Sequence, residues 1–533
     1  MAKSMYKNTG RLSRFNLRRD RIRIPVWLLS LAVLTFVVAL AFTDLYETAE
    51  DRQGIAETMK NPAMEAMVGK GYGLDNYTYG AIMANQMLLF TAIAVAIMSI
   101  LFVVRHTRED EEGGRIELIR SLPTGRLANL NATVIVVCGV NVLFALIVGL
   151  GLYALGIESM DLEGSLLYGA ALGVTGVFFA MVAAVFAQAL ENSRGAVGLS
   201  FAVLGVSYLI RAAGDVGDGV LSWFSPLGWV LGTEVYVNNY WWPIVLTIAA
   251  AAVLTVLAFY LNAIRDLGSG FIPAKPGRKH ASALLRGPIG LSFRIQRTGL
   301  IAWAIGIYVI GASYGSIFGD LESFLEEVEM MQELINPVES ASLTDQFIPM
   351  LMSIMAMIST VPVLMSVLKL VGEERKERTE HLLSRAVSRT RLLAGSFVIA
   401  IVTSFAMLSL AGTGLWSAGT VVVEDELGFG KIYGAAMVYL PAMWVMIGVA
   451  VLLIGFAPRF TGLVWAYLCY SFIVVYLGNL LKFPSWMANL SPYGHIPQLP
   501  VDNMDYMKVS VLTIIAVVLT IAGFIGYRKR DMY

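Results

Sequence analysis

The sequence predicts an all-α polytopic membrane protein, with twelve transmembrane helices in two parallel six-helix repeats and both termini cytoplasmic. Three observations predict it. Mean hydropathy is +0.68 and only 15% of the 533 residues are charged, which is far more apolar than a soluble domain. Apolar runs of about 20 residues, the length that crosses a bilayer, recur along the chain. Local signatures also recur between the two halves at a spacing of roughly 260 to 280 residues.

The expected spans are 24–42, 83–104, 133–155, 166–189, 197–210 and 243–261 in the first half. In the second they are 300–318, 347–368, 393–416, 433–456, 463–481 and 509–525. The first run has no small-residue cleavage site after it and is expected to be an anchor, not a removable signal. Formal net charge is +0, but the charges are segregated, and Lys and Arg gather on the cytoplasmic side of short loops. Eight basic residues precede Trp27, five Arg lie between 105 and 126, and seven basic residues lie in 265–297, so these segments are expected inside. Segment 156–164 has no Lys or Arg, and 319–346 has eight acidic residues and no basic one, so these are expected outside. The stretch "DLESFLEEVEMMQELI" in the latter suits a surface helix.

Paired signatures define the repeats. Asn61-Pro62 matches Asn336-Pro337, Ser225-Pro226-Leu227-Gly228 matches Ser491-Pro492-Tyr493-Gly494, and Arg265-Asp266 matches Arg530-Asp531. An even number of spans separates the copies, so both keep the same orientation. The expected division is 1–264 for the first repeat, 265–285 for a cytoplasmic linker, and 286–533 for the second repeat. Phe15 and Arg19 before span one match Phe293 and Arg297 before span seven. A basic flank that only fixes topology is the alternative, but the recurrence predicts an interfacial elbow helix at the start of each repeat.

Two charged segments stand out. "GGRIELIRSLPTGR" follows span two, and "KERTEHLLSRAVSR" follows span eight, with Arg115, Glu117, Ser121 and Arg126 recurring as Arg378, Glu380, Ser384 and Arg389. Ile116, Ile119 and Leu122 give the first a modest apolar stripe before Pro123 and Gly125 break it. Each reads as a short cytoplasmic helix, the alternative being a solvated charged loop. A loop that only turned the chain would need neither this length nor the repeated residues.

Other chemistry is sparse. There is no G-x-x-x-x-G-K-[ST] phosphate loop, since "VGKGYG" around Lys70 lacks the hydroxyl residue. No clear charged residue occupies the middle of a span, where ion relays are built, and Arg211 is placed at a span end. Cys138 and Cys469 have no Cys or His neighbours at ligand spacing, so neither disulfide nor metal is expected. Asn85, Gln86 and Asn141, with Met352 and Met355 on the Met-rich span eight, are candidates for a substrate path, although helix-to-helix bonding and gap-filling are the commoner uses of such residues. Gln188 and the prolines Pro349, Pro362 and Pro441 also lie in the spans.

The paired "RIELIRSLPTGR" and "RTEHLLSRAVSR", the "SPLGW" before span six and the "RDLGSGFIPAKPGR" after it resemble the permeases of ABC-2-type transporters, specifically the fused twelve-span kind labelled exporters of polyketide antibiotics. The resemblance covers the whole chain. It implies that the two charged segments are coupling helices seated on two copies of a separate ABC ATPase subunit. Arg115, Glu117, Leu118 and Arg126 would serve one contact, and Arg378, Glu380, His381 and Arg389 the other. It further implies a bacterial plasma-membrane permease, with no enzyme activity or cofactor of its own, whose partner holds ATP and Mg and whose amphipathic drug- or antibiotic-like substrates leave the cell. No nucleic-acid partner is expected. The second copy departs from the first, with His381 for Leu118 and Ala386-Val387-Ser388 for the proline–glycine turn, so the two contacts are not expected to be equivalent. An ion-coupled secondary transporter of six-plus-six spans is the alternative; it would want a G-x-x-x-D-R-x-G-R-type loop and intramembrane carboxylates, which the sequence lacks.

Overall fold

A backbone immersed in hydrocarbon has no water to bond, so a chain this apolar satisfies its N–H and C=O groups inside helices. The computed structural model describes all residues except 1–4, 61, 218, 274–278, 283–284, 286, 317, 319–342, 385–386, 424–426, 477–483 and 531–533. Among the described residues the chain is helical, with no strand beyond an isolated bridge between Leu190 and Ile272. Eleven helices among the described residues are long and apolar enough to cross a membrane. The chain divides into two compact units, Met1–Gly277 and Arg278–Tyr533.

In the first unit α1 (Thr9–Arg19) and α2 (Arg23–Leu45) are followed by the short helices α3 (Ala49–Thr58) and α4 (Pro62–Val68). Next come α5 (Tyr79–Glu112), α6 (Arg115–Arg120), α7 (Ala128–Ala154), α8 (Leu162–Ala189), α9 (Ser193–Val216), α10 (Pro226–Leu231) and α11 (Trp242–Ile264). Side-chain caps set several starts: Thr78 accepts from the Ala81 amide, Asp161 from Gly164 and Asn192 from Gly195. Helices α5 and α8 form the core of the unit, while α2 and α11 keep Val33, Val37, Val253 and Val256 on the outside, as a lipid-facing surface requires. Close approach of α7 and α8 depends on small residues, because a Cβ on Gly169 would sit 2.1 Å from the Ala145 carbonyl oxygen.

In the second unit the helices are α12 (Pro288–Ser316), α13 (Leu343–Glu374), α14 (Glu380–Leu383), α15 (Arg389–Val422), α16 (Phe429–Met437) and α17 (Leu440–Phe456). They continue as α18 (Leu463–Tyr476), α19 (Ser485–Asn489) and α20 (Tyr506–Lys529). Here α13 and α17 are central, Pro349 and Pro362 lie inside α13, and Pro441 opens α17. Gly455 and Gly523 bring α17 and α20 together, the Gly523 oxygen lying 2.3 Å from where a Gly455 Cβ would be.

Several expectations need correction. The span expected at 83–104 continues to Glu112, so the first acidic residues of the charged segment belong to α5 and not to a loop. The span expected at 197–210 runs to Val216, which puts Arg211 inside α9. The elbow helix is separate only in the first unit, where the chain turns at Asp20 between α1 and α2; the second unit runs unbroken through Pro288–Ser316. The physical difference is at the turn itself. Asp20 is held by His106, whereas the matching position carries Thr298, which has no charge to be held. The span expected at 463–481 is described only as the 14-residue α18. The acidic loop with its expected surface helix, Asn61, Asn336-Pro337, Ala386 and Asp531 fall outside the described residues.

Arg211 explains the opposite end of the first unit. Its side chain is fully buried and donates to the carbonyls of Glu65 (3.0 Å), Ala66 (2.8 Å) and Met67 (3.3 Å) at the end of α4. These are the carbonyls a helix C-terminus leaves unsatisfied. Asp215 neutralises it at 3.1 Å and in turn accepts from the Ser222 hydroxyl at 2.5 Å.

Candidate functional site

At its last turns α5 widens into a π-helical stretch, Arg105–Glu109, a distortion often found where function is located. The widening spreads polar side chains around the helix end. His106 Nε2 lies 2.5 Å from Asp20 Oδ2, the Arg105 guanidinium lies 3.3 Å from Asp20 Oδ1, and Arg19 bonds both His106 and Asp110, the latter at 2.6 Å. Asp110 then reaches Arg115 on α6 at 2.6 Å. The turn after α1, the end of α5 and the start of α6 are thus one connected ionic web.

Glu111, one residue on, points to the other side of α5. It accepts two parallel bonds from Arg265, at 2.8 and 2.6 Å, a third from the Gly268 amide at 2.6 Å and a fourth from Arg108 at 3.0 Å. A carboxylate with every acceptor direction used, flanked by two buried guanidiniums, is a fixed point. Glu112 accepts from both the amide and hydroxyl of Ser193 and so caps α9. Arg126 completes the ring by donating to the Arg265 carbonyl at 2.7 Å.

The second unit repeats the core of this arrangement. Arg530 pairs with Glu374, Tyr527 donates its hydroxyl to the same carboxylate at 2.6 Å, and Arg389 donates to the Arg530 carbonyl at 2.6 Å. The ionic web around Asp20 and His106 has no counterpart among the described residues there.

Helix α6 is short because glycines precede it and proline follows. Gly114 takes a left-handed conformation with φ of 71° that lets the chain leave α5. After Pro123 the chain is clasped by the N-terminal segment, Asn8 donating to the Pro123 carbonyl at 2.9 Å, and Gly125 and Leu127 donating to the carbonyls of Lys7 and Met5. One face of α6 is anchored through Arg115 and the buried Ile116. The other presents Glu117, Leu118, Ser121 and Leu122 to the outside, with Leu118 at 72% and Leu122 at 60% exposure. The Glu117 carboxylate bonds no described residue.

The eight residues singled out for coupling therefore divide in two. Arg115, Arg126, Arg378 and Arg389 are committed to partners in their own unit, Arg378 to Glu373 at 3.3 Å. Glu117, Leu118, Glu380 and His381 are exposed. In α14 the apolar Leu382 and Leu383 are half-buried, so the second segment offers a smaller apolar face. The candidates for a substrate path are scattered. Asn85 donates to the Tyr72 carbonyl and the Tyr77 hydroxyl at 3.0 and 3.2 Å, Asn141 is bonded to Ser99, and Gln86 is half-buried. Met352 and Met355 are fully buried in hydrophobic clusters of the second unit. Sequence reasoning missed Glu111, Glu374, Asp20 and His106. The first two could have been found, since they recur at the same 263-residue spacing as Arg115 and Arg378.

Eleven membrane-length helices among the described residues, two compact units and helix ends tied together around short exposed helices define a multi-pass membrane protein. Residues 13–261 and 285–528 match the family model described as "Multidrug efflux system permease Rv1217c, C-terminal domain". The chain is also 37% identical to the multidrug efflux system permease protein Rv1217c of Mycobacterium tuberculosis, over 99% of this chain and 96% of that protein. It belongs to this family of multidrug efflux permeases, multi-pass proteins of the bacterial plasma membrane.

Proposed function

We propose that the chain is the membrane-spanning subunit of an ATP-driven exporter of the ABC-2 type, energised by two copies of a separate ABC ATPase. Both termini are cytoplasmic, and twelve spans form two parallel six-span repeats; the two matched stretches of similar extent, one in each half, support that division. Its cargo is an amphipathic drug- or antibiotic-like compound, moved out of the cell. ATP and Mg belong to the partner.

The observation that carries this reading is α6. A helix whose back is fixed by Arg115 and Ile116, and whose front, with the turn that follows it, holds the exposed Leu118 and Leu122 beside a glutamate bonded to no described residue, has the form of a surface awaiting a groove. Because α6 is tied through Asp110 to Arg19 and follows directly on α5, a push on it is transmitted to the core helix and to the α1–α2 turn. The test is to extract the chain from its native membrane in mild detergent and identify what accompanies it. Copurification of an ATPase subunit with vanadate-sensitive hydrolysis is expected; a particle without any ATPase contradicts the reading.

A further inference from the structure

Beneath α6, at the ends of α5, α7, α8 and α11, lies a small, partly open pocket. Arg120, Arg126 and Arg265 line it, with Glu111 the carboxylate among its lining residues. Glu111 is already shared by Arg108 and Arg265. Four guanidiniums therefore gather around one carboxylate, and Arg120 has no hydrogen bond or ion pair with any described residue. Its burial pushes its pKa below the ordinary arginine value, Glu111 pulls it back up, and Arg126 and Arg265 push it down again. Asn262 contributes a second unmet need: its Nδ2 is spent on Gln188 at 2.7 Å, but its buried Oδ1 has no donor.

The second unit shows how the same scaffold looks without this need. Leu383 stands at the position matching Arg120, so the surplus charge is gone, and Tyr527 stands at the position matching Asn262 and spends its hydroxyl on Glu374.

We propose that the first-unit pocket is a binding site for a phosphate group, held between Arg120 and Arg126. Guanidiniums match phosphate oxygens in charge and in bidentate geometry, and basic pockets between helix ends take lipid headgroups. A hydroxyl on the same group, either the P–OH of a hydrogen phosphate or a glycerol hydroxyl of a headgroup, supplies the donor that Asn262 Oδ1 lacks. The site is independent of what the permease carries.

The test is equilibrium binding to the purified full chain, with two probes: inorganic phosphate, and phosphatidylglycerol doped into phosphatidylcholine nanodiscs. Saturable binding by the wild type is expected, weakened about tenfold in Arg120→Leu, the size of one lost charge-assisted hydrogen bond. The variant Arg18→Leu, an exposed arginine on α1, should bind as the wild type does. Binding of phosphatidylglycerol alone assigns the site to a lipid; binding of phosphate as well assigns it to the free anion. If Arg120→Leu is unstable, Arg120→Gln serves, with the same loss expected. Binding of neither probe, equal binding by the Arg120 variant, or an equal loss in Arg18→Leu overturns the site; the last result would mean a merely basic surface.

Discussion

Glu111 and Arg265, separated by 154 residues, meet in a two-pronged ion pair at 2.8 and 2.6 Å in which both side chains are only 6% exposed. The pair fixes the end of α5 to the end of α11, and Arg108 depends on the same carboxylate.

Removing one member of a buried pair leaves the other charged and unpaired, which typically costs about 3 to 5 kcal/mol. Glu111→Ala strands both Arg108 and Arg265 and should destabilise the protein by about that much. Glu374→Ala strands Arg530 and frees the Tyr527 hydroxyl, and should cost less, about 2 kcal/mol. Thermal unfolding of the two variants in detergent checks the order.

Arg211 closes α4 from within α9. Arg211→Met removes the donor to three carbonyls and leaves Asp215 buried with only Ser222. A loss of about 3 kcal/mol is expected, with faster proteolysis near Met67 as the local readout.

Helix α7 provides a paired test of packing. Gly169→Ala on the facing α8 must push the Ala145 carbonyl away and should cost about 1 to 3 kcal/mol. Gly139→Ala in α7, with nothing within 4 Å of the new Cβ, should be neutral or stabilising by up to about 1 kcal/mol, since alanine favours the helix.

Topology is tested by labelling. In a Cys469→Ser background, Glu50→Cys should react with an impermeant thiol reagent in intact cells, and Leu118→Cys only after lysis. The reverse pattern contradicts cytoplasmic termini.

Much of this was legible in the sequence, and for a physical reason: apolar runs are local, and a membrane leaves the backbone no choice but helix. The recurrence of Arg126 and Arg265 in one half as Arg389 and Arg530 in the other was legible too. That Arg126 donates to the Arg265 carbonyl was not, because the two are 139 residues apart and meet only through packing. The same holds for Asp20 and His106, separated by 86 residues. The second elbow was misread because Phe293 and Arg297 repeat faithfully; what decides the turn is the next residue, Asp20 in one half and Thr298 in the other. The arginines of the two charged segments looked free, and were instead taken by Asp110, Arg265, Glu373 and Arg530.

The charge reversal Glu117→Arg tests the central claim most directly, measured by pull-down of the ATPase subunit and by export of the compound to which the system confers resistance. Glu117 is exposed and bonded to no described residue, so expression and thermal stability should stay within about 0.5 kcal/mol of wild type. ATPase association and transport should be lost, and more completely than in Glu380→Arg, whose helix offers the smaller apolar face. Normal pull-down and full export by both variants would contradict coupling through "GGRIELIRSLPTGR" and leave α6 a solvated surface helix with no partner.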